Sequence, residues 1–196
     1  MFSFFDEPVK TLNSLRQELL SKRLDLHKNL ELRAQLENQL RQSFEQVKEG
    51  CIAIYWPINS EFDPRPLALD WARQAPNRKL ALPIVKPDQA LLFGEWRNGD
   101  QLHKGPQGIP EPTLSKENTP IQPDVIVIPC LGWAQHQQQF WRVGYGGGYY
   151  DRTLEALRQS KHPVKAIGIA YQALEVKEGA WRPQSHDQAL DELICA

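Results

Sequence analysis

A continuous apolar run near the middle of the chain constrains the fold most. Residues 124–129 read Asp-Val-Ile-Val-Ile-Pro, without the alternation of polar and apolar side chains that a half-exposed strand shows. Such a run predicts a β-strand that is covered on both faces. The runs 51–55 and 165–170 predict further buried strands, and two more strands are expected at 79–85 and 90–96.

The first part of the chain predicts two amphipathic helices. Residues 9–49 contain no Pro or Gly and are rich in good helix formers. Leucines recur at helical spacing, at Leu12, Leu15 and Leu19 and again at Leu32, Leu36 and Leu40. We expect a break near 25–29, with Asn29 as the N-cap of the second helix. Further helices are predicted at 67–74 and 149–159.

Strands that alternate with helices predict an α/β fold. We expect one three-layer domain over residues 1–196, with a central, mostly parallel or mixed sheet flanked by helices and a helical N-terminus. Ligands bind beyond the carboxyl ends of such strands, so the loops after Tyr55, Pro129 and Ala170 are candidate binding loops. The segment 104–123 is dense in Pro and Gly and is predicted to be an ordered loop or a lid.

Composition argues against several classes of protein. The formal net charge is -1, so no overall positive charge favours nucleic acid or an anionic membrane. No apolar run approaches the roughly 20 residues of a membrane span, and the start of the chain lacks the pattern of a signal peptide. Cys51, Cys130 and Cys195 have no metal-ligand spacing. We expect reduced thiols and a cytoplasmic monomer.

Basic residues in the first helices leave one alternative, an RNA-binding or partner-binding surface. These residues are Arg16, Lys22, Arg23, Lys28 and Arg33. They are interleaved with Glu18, Asp25 and Glu31. This mixture favours a solvated face of mixed charge.

A glycine-rich string carries the strongest functional signal. Residues 142–152 read Arg-Val-Gly-Tyr-Gly-Gly-Gly-Tyr-Tyr-Asp-Arg and lead into a predicted helix. Glycines allow close approach of a ligand to the backbone, and the N–H groups at a helix start favour anions, so the string predicts a phosphate cradle. It lacks the Gly-Lys-Ser/Thr of a Walker loop, and Tyr149 stands where a dinucleotide fingerprint has its third glycine. A flexible linker is disfavoured, because linkers rarely continue as Tyr-Tyr-Asp-Arg.

This string is similar to the signature of the 5-formyltetrahydrofolate cyclo-ligase family, Arg-x-Gly-x-Gly-x-Gly-Tyr-Tyr-Asp, at every fixed position. Other segments resemble the family in the same order, at 55–61, 82–83, 108–112, 124–129, 166–170 and 186–187. The resemblance implies a ligase that uses ATP and Mg²⁺ to cyclise 5-formyltetrahydrofolate to 5,10-methenyltetrahydrofolate, with release of ADP and phosphate.

The resemblance also implies roles for individual residues. ATP contacts would come from Arg16 and from Arg142, Val143, Gly144, Tyr145, Gly146, Gly147, Gly148, Tyr149 and Tyr150. The folate would be bound by Trp56 and Glu61 together with Tyr145, Gly146, Gly147, Gly148 and Tyr149. Arg142 and Tyr149 are the implied catalytic residues, and Asp151 and Asp187 are the implied Mg²⁺ ligands. From the residues alone, Asp151 also suits a helix start, Trp56 a core position, and Glu61 a solvated loop.

One departure from the family leaves a second interpretation open. The family has Lys-x-x-x-Arg in its first helix, and Arg16 matches the arginine, but Leu12 stands in the lysine position. Lys10 lies two residues earlier, on another face of an ideal helix. Unless Lys10 reaches the phosphates, one contact is missing. The chain would then be a divergent relative that binds ATP or folate with another activity or none.

Overall fold

A computed structural model describes residues 11–116, 118–160, 164–177 and 179–196. The helices are α1 (Leu12–Leu26), α2 (Leu30–Glu45), α3 (Arg65–Arg73) and α4 (Tyr149–Gln159), with a 3₁₀ turn at Gln172–Leu174. The strands are β1 (Gly50–Ala53), β2 (Arg78–Ile84), β3 (Leu92–Glu95), β4 (Leu102–Lys104), β5 (Pro110–Pro112), β6 (Val125–Pro129), β7 (Gly132–His136), β8 (Gln139–Val143), β9 (Lys165–Ala170) and β10 (Glu192–Cys195).

A six-stranded sheet forms the centre, in the order β10-β9-β6-β1-β2-β3. All neighbours are parallel except β3, which runs antiparallel to β2. The run 124–129 supplies β6, which lies between β9 and β1. Its side chains alternate between two separate apolar clusters, with Val127 in one and Ile128 in the other, and both are fully buried. This confirms the prediction of a strand covered on both faces.

Helices cover both faces of the sheet and make three layers. Leu15 of α1, Leu36 of α2 and Trp71 of α3 lie in the cluster on one face. Leu154 of α4 lies in the cluster on the other face. The predicted fold class, a mostly parallel mixed sheet flanked by helices with a helical N-terminus, is therefore confirmed.

The break between the first two helices lies where the sequence predicts it. The side chain of Asn29 accepts hydrogen bonds from the N–H groups of Glu31 at 2.9 Å and Leu32 at 3.3 Å. These bonds satisfy donors that a helix start otherwise leaves unpaired. Thr11 caps α1 in the same way, since its hydroxyl accepts from the Ser14 N–H at 3.2 Å.

Three regions of the chain differ from the sequence-based expectation. The predicted loop 104–123 contains β5, which pairs antiparallel with β4. Between β6 and the glycine string the chain forms an antiparallel hairpin, β7 and β8. The short apolar end of the chain, β10, adds a parallel edge strand beside β9. Across the described residues, no helix has the length and apolar character needed to cross a membrane.

Candidate active site

A cavity of about 230 Å³ opens at the carboxyl ends of β1, β2 and β6. Tyr55 follows β1, Val85 follows β2, and Pro129 ends β6. Every site residue predicted from the sequence lines this cavity: Arg16, Trp56, Glu61, Arg142, Val143, Gly144, Tyr145, Gly146, Gly147, Gly148, Tyr149, Tyr150, Asp151 and Asp187. Among the described residues after β9, those that line the cavity begin at Trp181, so the predicted binding loop directly after Ala170 is not part of its wall. The tertiary fold thus gathers residues from both ends of the chain.

The glycine loop (144–148) connects β8 to α4. Gly148 has φ +63° and is the N-cap of α4, and Gly146 has φ +101°. Both values favour glycine. A Cβ atom on Gly146 would lie 3.0 Å from the guanidinium carbon of Arg16, and one on Gly144 would lie 2.2 Å from Nη1 of Arg142. Glycine therefore lets two arginines contact the loop backbone at the start of a helix.

Arg16 reaches this loop from α1. Its Nε donates to the carbonyl oxygen of Gly144 at 2.9 Å, across 128 residues of sequence. Its Nη1 donates to Asn13 Oδ1 at 3.2 Å. Arg16 is thus held at the glycine loop rather than being a free surface charge.

Arg142 forms an ion pair with Asp151. Nη2 of Arg142 lies 2.6 Å from Oδ2 of Asp151, and the two side chains are only 8% and 11% exposed. Oδ1 of Asp151 accepts from the Gln188 N–H at 3.2 Å. The guanidinium carbon lies 5.3 Å from the centroid of the Tyr150 ring, and burial raises the pKa of Tyr150 well above its usual value. The residue implied to bind phosphate, Arg142, and the residue implied to bind Mg²⁺, Asp151, therefore form an ion pair.

Asp187 supplies a second carboxylate to the cavity. Its Oδ2 accepts from the Gln184 N–H at 2.7 Å, and its Oδ1 lies 3.9 Å from Nε2 of His186. Within the described ranges no group of three or more His, Cys, Asp or Glu side chains converges as a metal site. Mg²⁺ is usually bound by one or two carboxylates together with substrate phosphates and water. Asp151 and Asp187, which both line the cavity, are carboxylates of the type that such a site uses.

Glu61 is buried, with 5% of its surface exposed, so a solvated loop position is the wrong interpretation of this residue. Its Oε2 accepts from the Ile58 N–H at 2.8 Å, and its Oε1 accepts from the Tyr145 hydroxyl at 3.0 Å. Burial raises the pKa of Glu61, while the Ile58 N–H, Arg23 and the Tyr145 hydroxyl act in the opposite direction.

Trp56 lies beside the cavity as a half-buried side chain. It packs edge-on against Trp96, with ring centroids 6.4 Å apart, and the guanidinium carbon of Arg65 lies 4.1 Å from its ring centroid. Trp56 thus combines contact with the core and a place in the cavity wall.

Arg23 corrects the prediction of a solvated face on α1, because it is only 2% exposed. It donates to the Tyr145 hydroxyl and to the Asn59 carbonyl oxygen at 2.9 Å, and its Nη1 lies 4.0 Å from Oε1 of Glu61. Sequence reasoning missed this residue, although a signal was present. Arg23 continues the stripe of Leu15 and Leu19 at intervals of four residues, the spacing of one helix face.

Leu12 lines the cavity at the start of α1. Lys10, which would have to replace the family lysine, lies outside the described residues. The structure therefore places Leu12 at the site and leaves the prediction for Lys10 open.

A model of the 5-formyltetrahydrofolate cyclo-ligase family matches residues 9–196. The chain belongs to the 5-formyltetrahydrofolate cyclo-ligase family. It is thus a ligase of folate metabolism. The cyclo-ligase of Haemophilus influenzae is 30% identical over 137 residues, which cover 68% of this chain and 70% of the relative. The cyclo-ligase of Escherichia coli K12 is 29% identical over 129 residues, with coverage of 64% and 67%.

Two solved structures of 5,10-methenyltetrahydrofolate synthetases share the fold of this chain. The 5,10-methenyltetrahydrofolate synthetase of Aquifex aeolicus superposes with a TM-score of 0.69 at 25% identity, covering 94% of this chain and 89% of that chain. The enzyme of that name from Mycoplasma pneumoniae has a TM-score of 0.67 at 22% identity, with coverage of 94% and 98%. The latter likeness concerns the fold alone.

Proposed function

We propose that this protein converts 5-formyltetrahydrofolate to 5,10-methenyltetrahydrofolate, with hydrolysis of ATP to ADP and phosphate in the presence of Mg²⁺. The observation that carries the proposal is one cavity that combines the glycine loop, Arg16, Arg142 and two carboxylates with Trp56 and Glu61. The names of the relatives and structural neighbours support the same reaction.

Two sets of residues in the cavity wall suit two different ligands. At the glycine loop, the first N–H groups of α4 and the guanidinium of Arg16 provide donors and positive charge for the triphosphate. At the loop after β1, Trp56 offers a flat apolar surface for a ring, and Glu61 offers only acceptor atoms when ionised. We assign the folate to Trp56 and Glu61, and the nucleotide phosphates to the residues 142–150.

The chemistry requires activation of an amide-like oxygen, which is a poor leaving group. The formyl oxygen on nitrogen 5 attacks the γ-phosphorus of ATP, and ADP leaves. Nitrogen 10 then attacks the formyl carbon and closes the five-membered ring. Nitrogen 10 gives its proton to solvent, and phosphate departs with the former formyl oxygen. Both steps depend on alignment and on neutralisation of phosphoryl charge, so the reaction needs no covalent bond to the protein.

The protein's own groups can perform these tasks. Arg142 is held at the start of α4 by Asp151, and its Nε has no hydrogen-bond partner among the residues that the structure describes. It therefore has a donor to offer an incoming phosphate oxygen. Tyr149, in the first turn of α4, lines the cavity beside the glycine loop, where a Cβ atom on Gly147 would lie 2.9 Å from its ring. Bound between Asp151 and Asp187, Mg²⁺ would neutralise charge on the phosphates.

The deciding experiment follows the ultraviolet absorbance of the methenyl product. Purified protein is mixed with 5-formyltetrahydrofolate, ATP and Mg²⁺, and each component is omitted in turn. We expect a rise in absorbance that needs all three. A folded protein that binds ATP but yields no product would instead support a divergent relative, for which Leu12 in the cavity wall is the motivating observation.

A further inference from the structure

Glu111 of β5 is a buried acid outside the predicted site residues. It is 2% exposed, and its Oε1 has no hydrogen-bond partner within the part of the chain that the structure describes. Buried carboxyl groups without partners are rare, because removing their hydration costs free energy that only hydrogen bonds or ion pairs restore.

The surroundings of Glu111 provide room for its carboxyl group but little pairing. A Cβ atom on Gly105 would lie 2.0 Å from Oε1 and 2.1 Å from the carboxyl carbon, so the carboxyl group occupies the space of the missing side chain. Burial raises the pKa of Glu111. A hydrogen bond from the Val85 N–H and the charges of His103 and Lys86 lower it, but they offset only part of the rise.

Glu111 nevertheless lines the main cavity, next to the end of β2. The other buried glutamate of the cavity has both oxygens engaged, because Glu61 accepts from the Ile58 N–H and from the Tyr145 hydroxyl. Glu111 is therefore the carboxyl group with unused capacity to accept hydrogen bonds. The terminal torsion of a glutamate is soft, so either oxygen can be presented to a ligand.

We propose that Glu111 is a substrate-binding residue that accepts hydrogen bonds from the N–H groups of the reduced pterin ring. This inference rests on the proposed function, since the ring that it recognises belongs to 5-formyltetrahydrofolate. One oxygen of this acid stays buried without a partner among the described residues because its partner arrives with the substrate.

The proposal predicts opposite effects on binding and on stability. Glu111→Met keeps the volume of the side chain and removes its acceptors. We expect the KM for 5-formyltetrahydrofolate to rise about tenfold or more, as for loss of a hydrogen bond to a charged group, with the KM for ATP unchanged. Thermal unfolding should shift upward by about 2–4 °C, because a buried unpaired group has been removed. Glu111→Gln keeps one carbonyl acceptor and should give an intermediate KM.

The matched control is Glu155→Met on the exposed surface of α4, which should change neither constant. A Glu111→Met enzyme with its folate KM within about twofold of the wild type overturns the proposal. So does a lower unfolding temperature with both KM values raised, which would mark Glu111 as a structural support of the hairpin. If the wild type binds 5-formyltetrahydrofolate without turning it over, the proposed function fails and the dissociation constant replaces KM in the same comparison. If the wild type neither binds nor converts it, the inference falls with the function.

Discussion

The hydroxyl of Tyr145 donates to Oε1 of Glu61 at 3.0 Å and thereby joins the glycine loop to the loop after β1. The same hydroxyl accepts from Nη2 of Arg23. The two assigned ligand regions thus share one hydrogen-bonded element. A change at either loop is transmitted to the other through this contact.

Tyr145→Phe tests this link. Without the hydroxyl, Oε1 of Glu61 loses its donor, so we expect the KM for 5-formyltetrahydrofolate to rise about tenfold, with a smaller change for ATP. Steady-state kinetics with each substrate varied in turn measures both constants. The control is Tyr171→Phe, which removes a buried hydroxyl that has no partner among the described residues and lies outside the main cavity wall. Equal effects of the two variants would contradict the assignment.

Arg23→Met should destabilise the fold. The guanidinium is the nearest positive charge to buried Glu61, at 4.0 Å, and its removal leaves a buried carboxylate without a cation. We expect a loss of about 3 kcal/mol in the free energy of unfolding, measured by chemical denaturation. Lys22→Met, the neighbouring residue on the exposed side of α1, should change stability by less than about 0.5 kcal/mol. A loss of that small size for Arg23→Met would contradict the role of this buried charge.

Gly146→Ala should weaken ATP binding more than it weakens the fold. The new Cβ atom would lie 3.0 Å from the guanidinium carbon of Arg16 at a backbone φ of +101°. Gly99→Ala is the matched control, because Gly99 has φ +95° with no atom within 4 Å of its Cβ position. Both variants should lose about 1–3 kcal/mol of stability from backbone strain. Calorimetric titration with ATP should show a weaker affinity for Gly146→Ala alone.

Asp187→Asn tests the proposed Mg²⁺ ligand. Loss of a residue that only supports a metal ligand typically costs about 10- to 100-fold in affinity or activity. Loss of a ligand itself should cost at least as much, so the Mg²⁺ concentration for half-maximal activity should rise at least about tenfold. Asp70→Asn on α3, a surface carboxylate paired with Arg73, should leave this concentration unchanged. An unaltered Mg²⁺ dependence of Asp187→Asn would assign the metal elsewhere.

The thiols should differ in reactivity. Burial raises the pKa of Cys51 and of Cys130 to about 12 in each case, so almost no thiolate is present near pH 8. Cys195 is partly exposed, and its pKa is raised to a lesser degree. A thiol reagent should therefore modify native protein first at Cys195, and the other two cysteines only after unfolding. Mass spectrometry of the labelled peptides identifies the order, and early labelling of Cys130 would contradict the buried position.

The sequence was sufficient for elements whose signals are local. The cap at Asn29, the run 124–129 and the helix 149–159 each depend on neighbouring residues, and each is found where it was predicted. The hairpin β7–β8 was missed because its turn uses Gln137 and Gln138, both with positive φ. Turns of that shape are usually recognised by Asn-Gly or similar pairs.

The candidate site likewise contains residues that the sequence predicted and residues that it did not. The glycine loop was visible because its residues are contiguous, and a resemblance supplied the separated ones. Arg23 and Glu111 were missed, since each looks like an ordinary surface charge until the packing of α1 and β5 is known. Burial of a charged residue depends on tertiary contacts, which no local window of sequence contains.

The bond from Arg16 to Gly144 spans 128 residues, and Asp187 completes the same cavity near the end of the chain. During synthesis, a cavity lined by Arg16, the glycine loop and Asp187 therefore cannot form until residue 187 has left the ribosome. The segment 142–151 holds the glycine loop together with Arg142 and Asp151. A proteolytic cut between α1 and β8, followed by loss of the fragment that carries α1, would remove Arg16 from this loop. Assembly of this cavity thus requires that segments far apart in sequence come together, which loop-closure entropy opposes.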